Sequence, residues 1–190
     1  AADCLPAELG TGTRIMRADD IAQVFHACFQ KDFRVKLEGG ATEPYYQPAT
    51  CSDDSHTIYF REDFASSALH EIAHWCIAGA ARRQQPDFGY WYEGDRGPHQ
   101  QREFERLEVR PQALEWIFSE ASATPFRVSC DNFDEAALDI EPFRRAVVEA
   151  VRARLAEGLP PRAGKFVAAL VAKTGNMSAL APETYSELPP

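Results

Sequence analysis

The sequence predicts an α+β fold, a mostly helical single domain with a small sheet near its N-terminus. Two stretches before residue 62 alternate apolar and polar side chains, as half-buried strands do. From residue 64 onward, apolar side chains recur every three or four positions, as they do on amphipathic helices. The 190 residues are 45% hydrophobic and 11% aromatic, which is typical of one globular domain that buries its own core.

A helix is the first element predicted along the chain. Residues 1–17 show no clear period and are expected to form a flexible N-terminal arm. Asp19 or Asp20 is the expected N-cap, because a short acidic side chain can accept from free N–H groups at a helix start. The apolar face of this helix consists of Ile21, Val24, Phe25, Cys28 and Phe29.

Two strands are predicted next. The first carries alternating apolar residues, namely Phe33, Val35 and Leu37, and is expected to end at Gly39–Gly40. The stretch 43–55 contains two prolines and is predicted to be a loop or an irregular edge. A second strand is predicted over 57–61, centred on Ile58 and Phe60.

Helices account for the rest of the predicted domain, which spans 18–174. The first of them is expected from about Phe64 to Arg83, and the next over 102–121 with a kink or restart at Pro111. Two further helices are predicted near 142–157 and 163–173, followed by a Pro-rich C-terminal tail over 175–190 that is expected to be loose.

The charge balance argues against a nucleic-acid-binding protein. The net charge is −9 and the isoelectric point is near 5.1, whereas nucleic-acid binding needs a basic surface. No apolar run is long enough to span a membrane, no secretory signal pattern is visible, and the five cysteines are scattered without a CxxC pair. These features predict a cytoplasmic protein with free thiols, and we expect it to be a monomer.

The motif that carries chemistry is HExxH, formed by His70, Glu71 and His74. Histidines four residues apart lie on one face of a helix, so both imidazoles can bind one metal ion. Glu71 can flank the metal and hold a water molecule or take a proton. A chance pair of surface histidines is the competing interpretation. It is disfavoured because the helix is almost entirely apolar around the motif and only five histidines occur in the chain.

A third ligand is expected from the next helix. The candidates are Glu103, Glu105, Glu108 and Glu115. A helical wheel places the core stripe at Phe104, Leu107, Pro111, Leu114 and Phe118. Glu108 lies beside that stripe and is favoured, Glu105 points towards solvent, and Glu103 and Glu115 stay possible. His99 is a weaker candidate, His26 and His56 are expected to be structural or exposed, and Cys76 is expected in the core.

An aromatic loop follows the metal-binding helix. Tyr90, Trp91 and Tyr92 adjoin the acidic residues Asp87, Glu93 and Asp95. These aromatics form either a core lid or a substrate wall, since aromatic faces attract ammonium groups. An acidic and aromatic pocket would suit a lysine-like substrate.

Several blocks of sequence closely resemble the elongation factor P hydroxylase family. They are HEIAHWCIAGAARR, DFGYWY, FERLEVRPQALEW and FRVSCDN, with EPYYQPA upstream, and the resemblance covers about Ile21 to Leu170. It implies a metal-hydrolase-like fold and an iron-dependent enzyme that hydroxylates the (β-lysyl)lysine of elongation factor P. It further implies that His70 and His74 are ligands, that Glu108 is the carboxylate ligand, and that Glu71 is a neighbouring acid or base.

Two functions follow from these residues. In the first, Fe(II) and O₂ hydroxylate a protein lysine, because two histidines and one carboxylate leave open positions on the metal. In the second, Zn²⁺ with Glu71 as general base hydrolyses a peptide or nucleic acid. Spacing alone does not separate iron from zinc, and zinc can occupy such a site in purified protein. The family resemblance favours the hydroxylase.

Overall fold

The computed structural model describes residues 15–52, 54–89, 98–129 and 140–190, with the backbone alone for 98–102. The elements in this part of the chain are α1 (Ala18–Phe33), β1 (Val35–Ala41), β2 (Tyr45–Gln47), β3 (His56–Arg61), α2 (Ala65–Ile77), α3 (Pro98–Ser122), α4 (Glu141–Glu157) and α5 (Pro161–Thr174). Five helices with one small sheet confirm the predicted α+β class. No helix in these ranges is long and apolar enough to cross a bilayer.

The sheet has the strand order β1–β3–β2. The strands β1 and β3 run parallel, and β2 pairs antiparallel with β3. The short strand β2 lies at one edge of the sheet, within the stretch 43–55 that was predicted to be a loop or an irregular edge. The expected end of β1 at Gly39–Gly40 is wrong, since pairing continues to Ala41. Gly39 instead allows the backbone at Glu62 to approach closely, since a Cβ at position 39 would lie 2.7 Å from the Glu62 carbonyl oxygen.

The core lies where α3 packs against α2, α4 and α5. Its centre is aromatic: the ring of Phe25 meets that of Trp75 at 5.4 Å, and the ring of Phe118 meets that of Phe166 at 5.1 Å. These contacts join four helices through side chains that are almost wholly inaccessible to solvent. The helix α2, which carries the HExxH motif, is therefore held rigidly against its neighbours.

The expected start of the first helix and the expected end of the second are both wrong. Arg17 is the N-cap of α1, and Asp20 lies in the first turn, where its carboxylate accepts from the Arg17 N–H at 3.1 Å. The helix α2 ends at Ile77, whereas Arg83 lies in a following 3₁₀ turn. The end of α2 is stabilised by Arg162, which donates to the carbonyl oxygens of Trp75, Cys76 and Ala78.

The helix α3 continues through Pro111 without a restart. Most of the predicted core stripe is buried, but Leu107 is 45% exposed. The helical wheel wrongly placed Leu107 in the core, because it assumed that one face of α3 is buried along the whole helix. The part of α3 before Glu108 packs less completely, since most of its described side chains retain solvent contact.

Both ends of the described chain pack on the domain. Met16, in the predicted arm, is buried, and its N–H donates to the Ser122 carbonyl at 3.2 Å. The C-terminal stretch forms two 3₁₀ turns, and Tyr185 is wholly buried with its ring 4.9 Å from that of Trp116. The expectation of a loose tail is wrong, because an aromatic side chain anchors it.

Candidate metal centre

The two motif histidines project from α2 towards α3. Apolar neighbours such as Leu69 and Ile72 face the core, which leaves the histidine face of α2 directed at a cavity. The side chains of His70 and His74 are 27% and 18% exposed to solvent. The histidines lie at a cavity wall, where they are accessible to a ligand.

Glu108 on α3 meets both histidines. Its Oε2 lies 3.4 Å from Nε2 of His70, and its Oε1 lies 3.3 Å from Nε2 of His74. The two Nε2 atoms are 3.0 Å apart. Donors that bind one ion at about 2.1 Å are separated by about 3.0 Å at right angles and about 3.4 Å at the tetrahedral angle. The three side chains therefore fit a single metal ion.

Glu115 lies behind His70 rather than in the ligand set. Its Oε2 is 2.8 Å from Nδ1 of His70. In the neutral imidazole this contact places the proton on Nδ1, and the lone pair of Nε2 then points at the donor cluster. The candidate Glu115 is thus brought to the site as an orienting residue, whereas Glu103 and Glu105 lie outside the cavity lining.

The charges of this cluster are strongly coupled. Burial lowers the pKa of His70, but the hydrogen bond that His70 donates to Glu115 and the charges of Glu115 and Glu108 outweigh burial and raise the pKa to about 10. Burial raises the pKa of Glu108, but His74, His70 and Gln112 outweigh that effect and lower it to about 2. A buried carboxylate held in its charged form is a suitable ligand for a cation.

Gln112 holds a second part of the wall in place. It lies one turn after Glu108, donates from Nε2 to the Ser129 carbonyl at 2.6 Å, and accepts from the Ser129 N–H at 3.1 Å. Glu108, Gln112 and Glu115 are all buried on one face of α3. Sequence reasoning missed this arrangement. The signal that could have revealed it is that these three polar residues are four and then three positions apart, beside an apolar stripe.

Glu71 lines the same cavity as the three donors. Burial raises the pKa of its carboxyl group, while the positive charges of His70 and His74 oppose that rise. A carboxyl group whose pKa is raised by burial holds a proton more readily than an exposed one. The position of Glu71 thus fits the acid or base role predicted for it.

The cavity has a volume of about 1120 Å³ and opens beside the donors. One wall contains a turn, Pro86–Gly89, in which Asp87 and Phe88 adopt left-handed backbone angles. Tyr46 stabilises this turn: its N–H donates to Asp87 at 2.8 Å, and its ring stacks on Phe88 at 4.2 Å. Asp87 is thereby fixed as an acidic group at the cavity wall.

The other predicted residues have three different outcomes. Tyr90, Trp91, Tyr92, Glu93 and Asp95, together with the side chain of His99, lie outside the described residues, so the aromatic substrate wall stays a prediction. His26 and His56 are structural, because each accepts a backbone N–H from a neighbouring segment. Cys76 is buried in the core as expected.

Comparison with known proteins agrees with the resemblance found in the sequence. The family model described as elongation factor P hydroxylase matches residues 24–184, which extends past the expected limit near Leu170 into the packed tail. A protein of Haemophilus influenzae, named elongation factor P lysine hydroxylase, is 46% identical over 157 residues, covering 82% of this chain and 88% of that protein. The chain therefore belongs to the elongation factor P hydroxylase family.

Proposed function

We propose that this protein hydroxylates a modified lysine of elongation factor P, using one Fe(II) ion held by His70, His74 and Glu108 and O₂ as the source of oxygen. Family membership supports a hydroxylase acting on this factor. The observation that carries the metal assignment is the convergence of two histidines and one carboxylate at a cavity wall. Iron in such a donor set supplies the redox chemistry that activates O₂.

The side chains around the donors have separate tasks in this proposal. Glu115 accepts from Nδ1 of His70 and so keeps Nε2 directed at the donor cluster. Glu71 exchanges a proton at its carboxylate, which lies in the cavity with a pKa raised by burial. The histidines, with a smaller contribution from Gln112, keep Glu108 charged, and Gln112 holds the facing segment through Ser129.

A (β-lysyl)lysine side chain is long and carries terminal ammonium groups, and we infer that it enters this cavity. The acidic residues Glu43 and Asp87 lie in the wall and can pair with those groups. Phe88 and Phe104 also line the cavity and offer aromatic surface to the alkyl chain. The substrate in this proposal is the folded factor, because a free lysine would reach few of these contacts.

Zinc hydrolysis is the alternative that the HExxH motif alone favours. The matching family model and the Haemophilus influenzae relative are both described as hydroxylases, which gives the hydrolase no support. Zn²⁺ accepts the same donors but has no redox chemistry. A zinc-loaded form is therefore expected to be folded and inactive in hydroxylation. We further propose that the protein acts in the cytoplasm as a monomer and, with a net charge of −9, without binding nucleic acid.

The decisive experiment uses protein loaded anaerobically with Fe(II), Zn²⁺ or no metal and incubated with modified elongation factor P. On admission of O₂ together with a reductant such as ascorbate, the iron form alone is expected to add one oxygen atom to the factor, while two electrons from the reductant reduce the second oxygen atom to water. Mass spectrometry of the modified peptide measures the addition. Unmodified factor and free lysine serve as substrate controls. Equal hydroxylation by the zinc form, or peptide cleavage by it, would contradict the proposal.

The ligand assignment is tested by a matched pair of glutamates on α3. The Glu108→Ala variant is expected to lose metal affinity by more than the roughly 10–100-fold typical of residues that only orient a ligand. The Glu105→Ala variant should keep its affinity, because Glu105 does not line the cavity. Titration of the chelated metal measures both. A larger loss in Glu105→Ala would refute the assignment.

A further inference from the structure

The cavity beside the donor cluster carries two opposite charges. One set of lining residues is acidic and comes from several elements: Glu71 on α2, Glu108 and Glu115 on α3, Glu43 between β1 and β2, and Asp87 in the Pro86–Gly89 turn. The other set is basic and comes from the end of β3, the segment after α3, and α4: Arg61, Arg127 and Arg144. A cation suits the first set and is repelled by the second. The basic wall is therefore not explained by a lysine-derived substrate.

Part of the Arg144 guanidinium has no partner among the described residues. Its Nε atom is buried and has no hydrogen-bond acceptor among the residues described. Its neighbour Arg145, by contrast, pairs with Glu141 one turn earlier on the same helix. Burying part of a guanidinium without a partner is costly, because the lost hydration is not replaced. Such a group is stabilised when an anion occupies the space beside it.

The other two arginines are equally without carboxylate partners in the described part of the chain. Arg61 and Arg127 are exposed at the cavity, and neither forms an ion pair there. Two acidic groups of the same cavity, Glu108 and Glu115, are already engaged by the histidines. The positive charge of this wall is thus available to a ligand.

The size of the cavity leaves room for that ligand. Its volume of about 1120 Å³ is at the upper end of the roughly 300–1,000 Å³ typical of small-molecule sites. A single extended side chain reaching the donors need not fill it. The volume therefore leaves room for a small anion beside such a side chain.

We propose that Arg144, assisted by Arg127, binds a carboxylate group in this cavity. A guanidinium presents parallel N–H donors that match the two oxygens of a carboxylate. The carboxylate has two possible sources, a small carboxylic acid or an acidic side chain of the protein substrate. The buried Nε of Arg144 favours the small acid, since it lies below the accessible surface.

The first test is calorimetric titration of the metal-loaded full chain with succinate, using neutral succinamide as the control ligand. Succinate should bind and succinamide should not, and Arg144→Gln should weaken succinate binding by about tenfold or more. Arg144→Lys should have an intermediate affinity for succinate, because lysine keeps the positive charge but lacks the parallel N–H donors of the guanidinium. Arg145→Gln, altered at the adjacent position outside the cavity, should bind as the unmodified protein does. This titration does not depend on the hydroxylation reaction, so it can succeed or fail separately from the proposed function.

The second test separates the two sources of carboxylate. If the unmodified protein does not bind succinate, Arg144→Gln should raise KM for elongation factor P severalfold at unchanged kcat, which assigns the carboxylate to the factor. If Arg144→Gln does not fold, as judged by circular dichroism, the exposed Arg127→Gln takes its place in both measurements. Succinate binding that is equal in all variants overturns the proposal. So does a folded Arg144→Gln or Arg127→Gln variant that changes neither measurement.

Discussion

His70 illustrates how one side chain receives two constraints at this centre. Its Nε2 faces the donor cluster, and its Nδ1 contacts Glu115 at 2.8 Å. A histidine bound on both nitrogens has a fixed ring orientation, so its ligand geometry does not depend on the metal alone. The preformed donor distances around Glu108 are consistent with this fixed orientation.

At this scale the variant of interest is Glu115→Ala. Its metal affinity should fall roughly 10–100-fold, because His70 loses the acceptor that sets its tautomer. Glu115→Gln should lose less, since the amide oxygen still accepts from Nδ1. Competition against a chromogenic chelator measures both.

Glu103→Gln is the control on the same helix, since Glu103 is exposed and outside the cavity lining. An equal loss of affinity in Glu103→Gln and Glu115→Ala would show that the effect is not specific to the His70 contact. Unchanged affinity in Glu115→Ala would exclude an orienting role.

The element that presents the histidines, α2, is stabilised at its C-terminal end from outside. Arg162 on α5 donates to three carbonyl oxygens at distances of 2.6–3.1 Å, and its guanidinium lies 4.9 Å from the Trp75 ring centroid. The last carbonyls of a helix have no intrahelical partners, so these bonds satisfy groups that would otherwise need water. Two helices distant in sequence are thereby joined at the end of the metal-binding helix.

Replacing Arg162 by Met should lower the free energy of unfolding by about 2–3 kcal/mol, because hydrogen bonds from a charged donor are lost at a partly buried helix end. Lys173→Met on the same helix is the control and should change stability by less than about 0.5 kcal/mol, since Lys173 is exposed. Urea denaturation followed by circular dichroism measures both. Equal stability of the two variants would mean that Arg162 does not cap α2.

Across the whole molecule, the C-terminal stretch and the cavity wall are connected. The Pro190 carbonyl accepts from the Val128 N–H at 3.0 Å, and Val128 lines the cavity. The ring of Trp116 contacts both Tyr185 of the tail and Phe126 of the wall. The stretch beyond Gly175 therefore supports the segment that faces the metal centre.

Tyr185→Ala is predicted to destabilise the protein by about 3–5 kcal/mol, the usual cost of removing a buried aromatic ring. Tyr185→Phe should cost only about 1 kcal/mol, because it loses one hydrogen bond from its hydroxyl to the Ala179 carbonyl. Chemical denaturation of both variants provides the comparison. A loss below about 0.5 kcal/mol in Tyr185→Ala would be the result expected of a loose tail instead.

The local sequence pattern was sufficient to predict the class of fold and the pairing of the two histidines on one helix face. Apolar spacing within a helix or strand reports which face is buried, and His70 and His74 are one turn apart in any helix. The same local logic failed at element ends. The end of α2 depends on Arg162, which lies 84 residues after Ala78 along the chain.

The tertiary structure alone decided how groups from separate elements meet. Pattern ranked Glu108 above Glu115, but both lie on one face of α3, and only packing against α2 distinguishes a donor from an orienting residue. Packing also decided that the Pro-rich tail supports the cavity and that Arg144 lacks a described partner there. The physical reason is that spacing along one element is a local property, whereas contacts between elements depend on how the whole core packs.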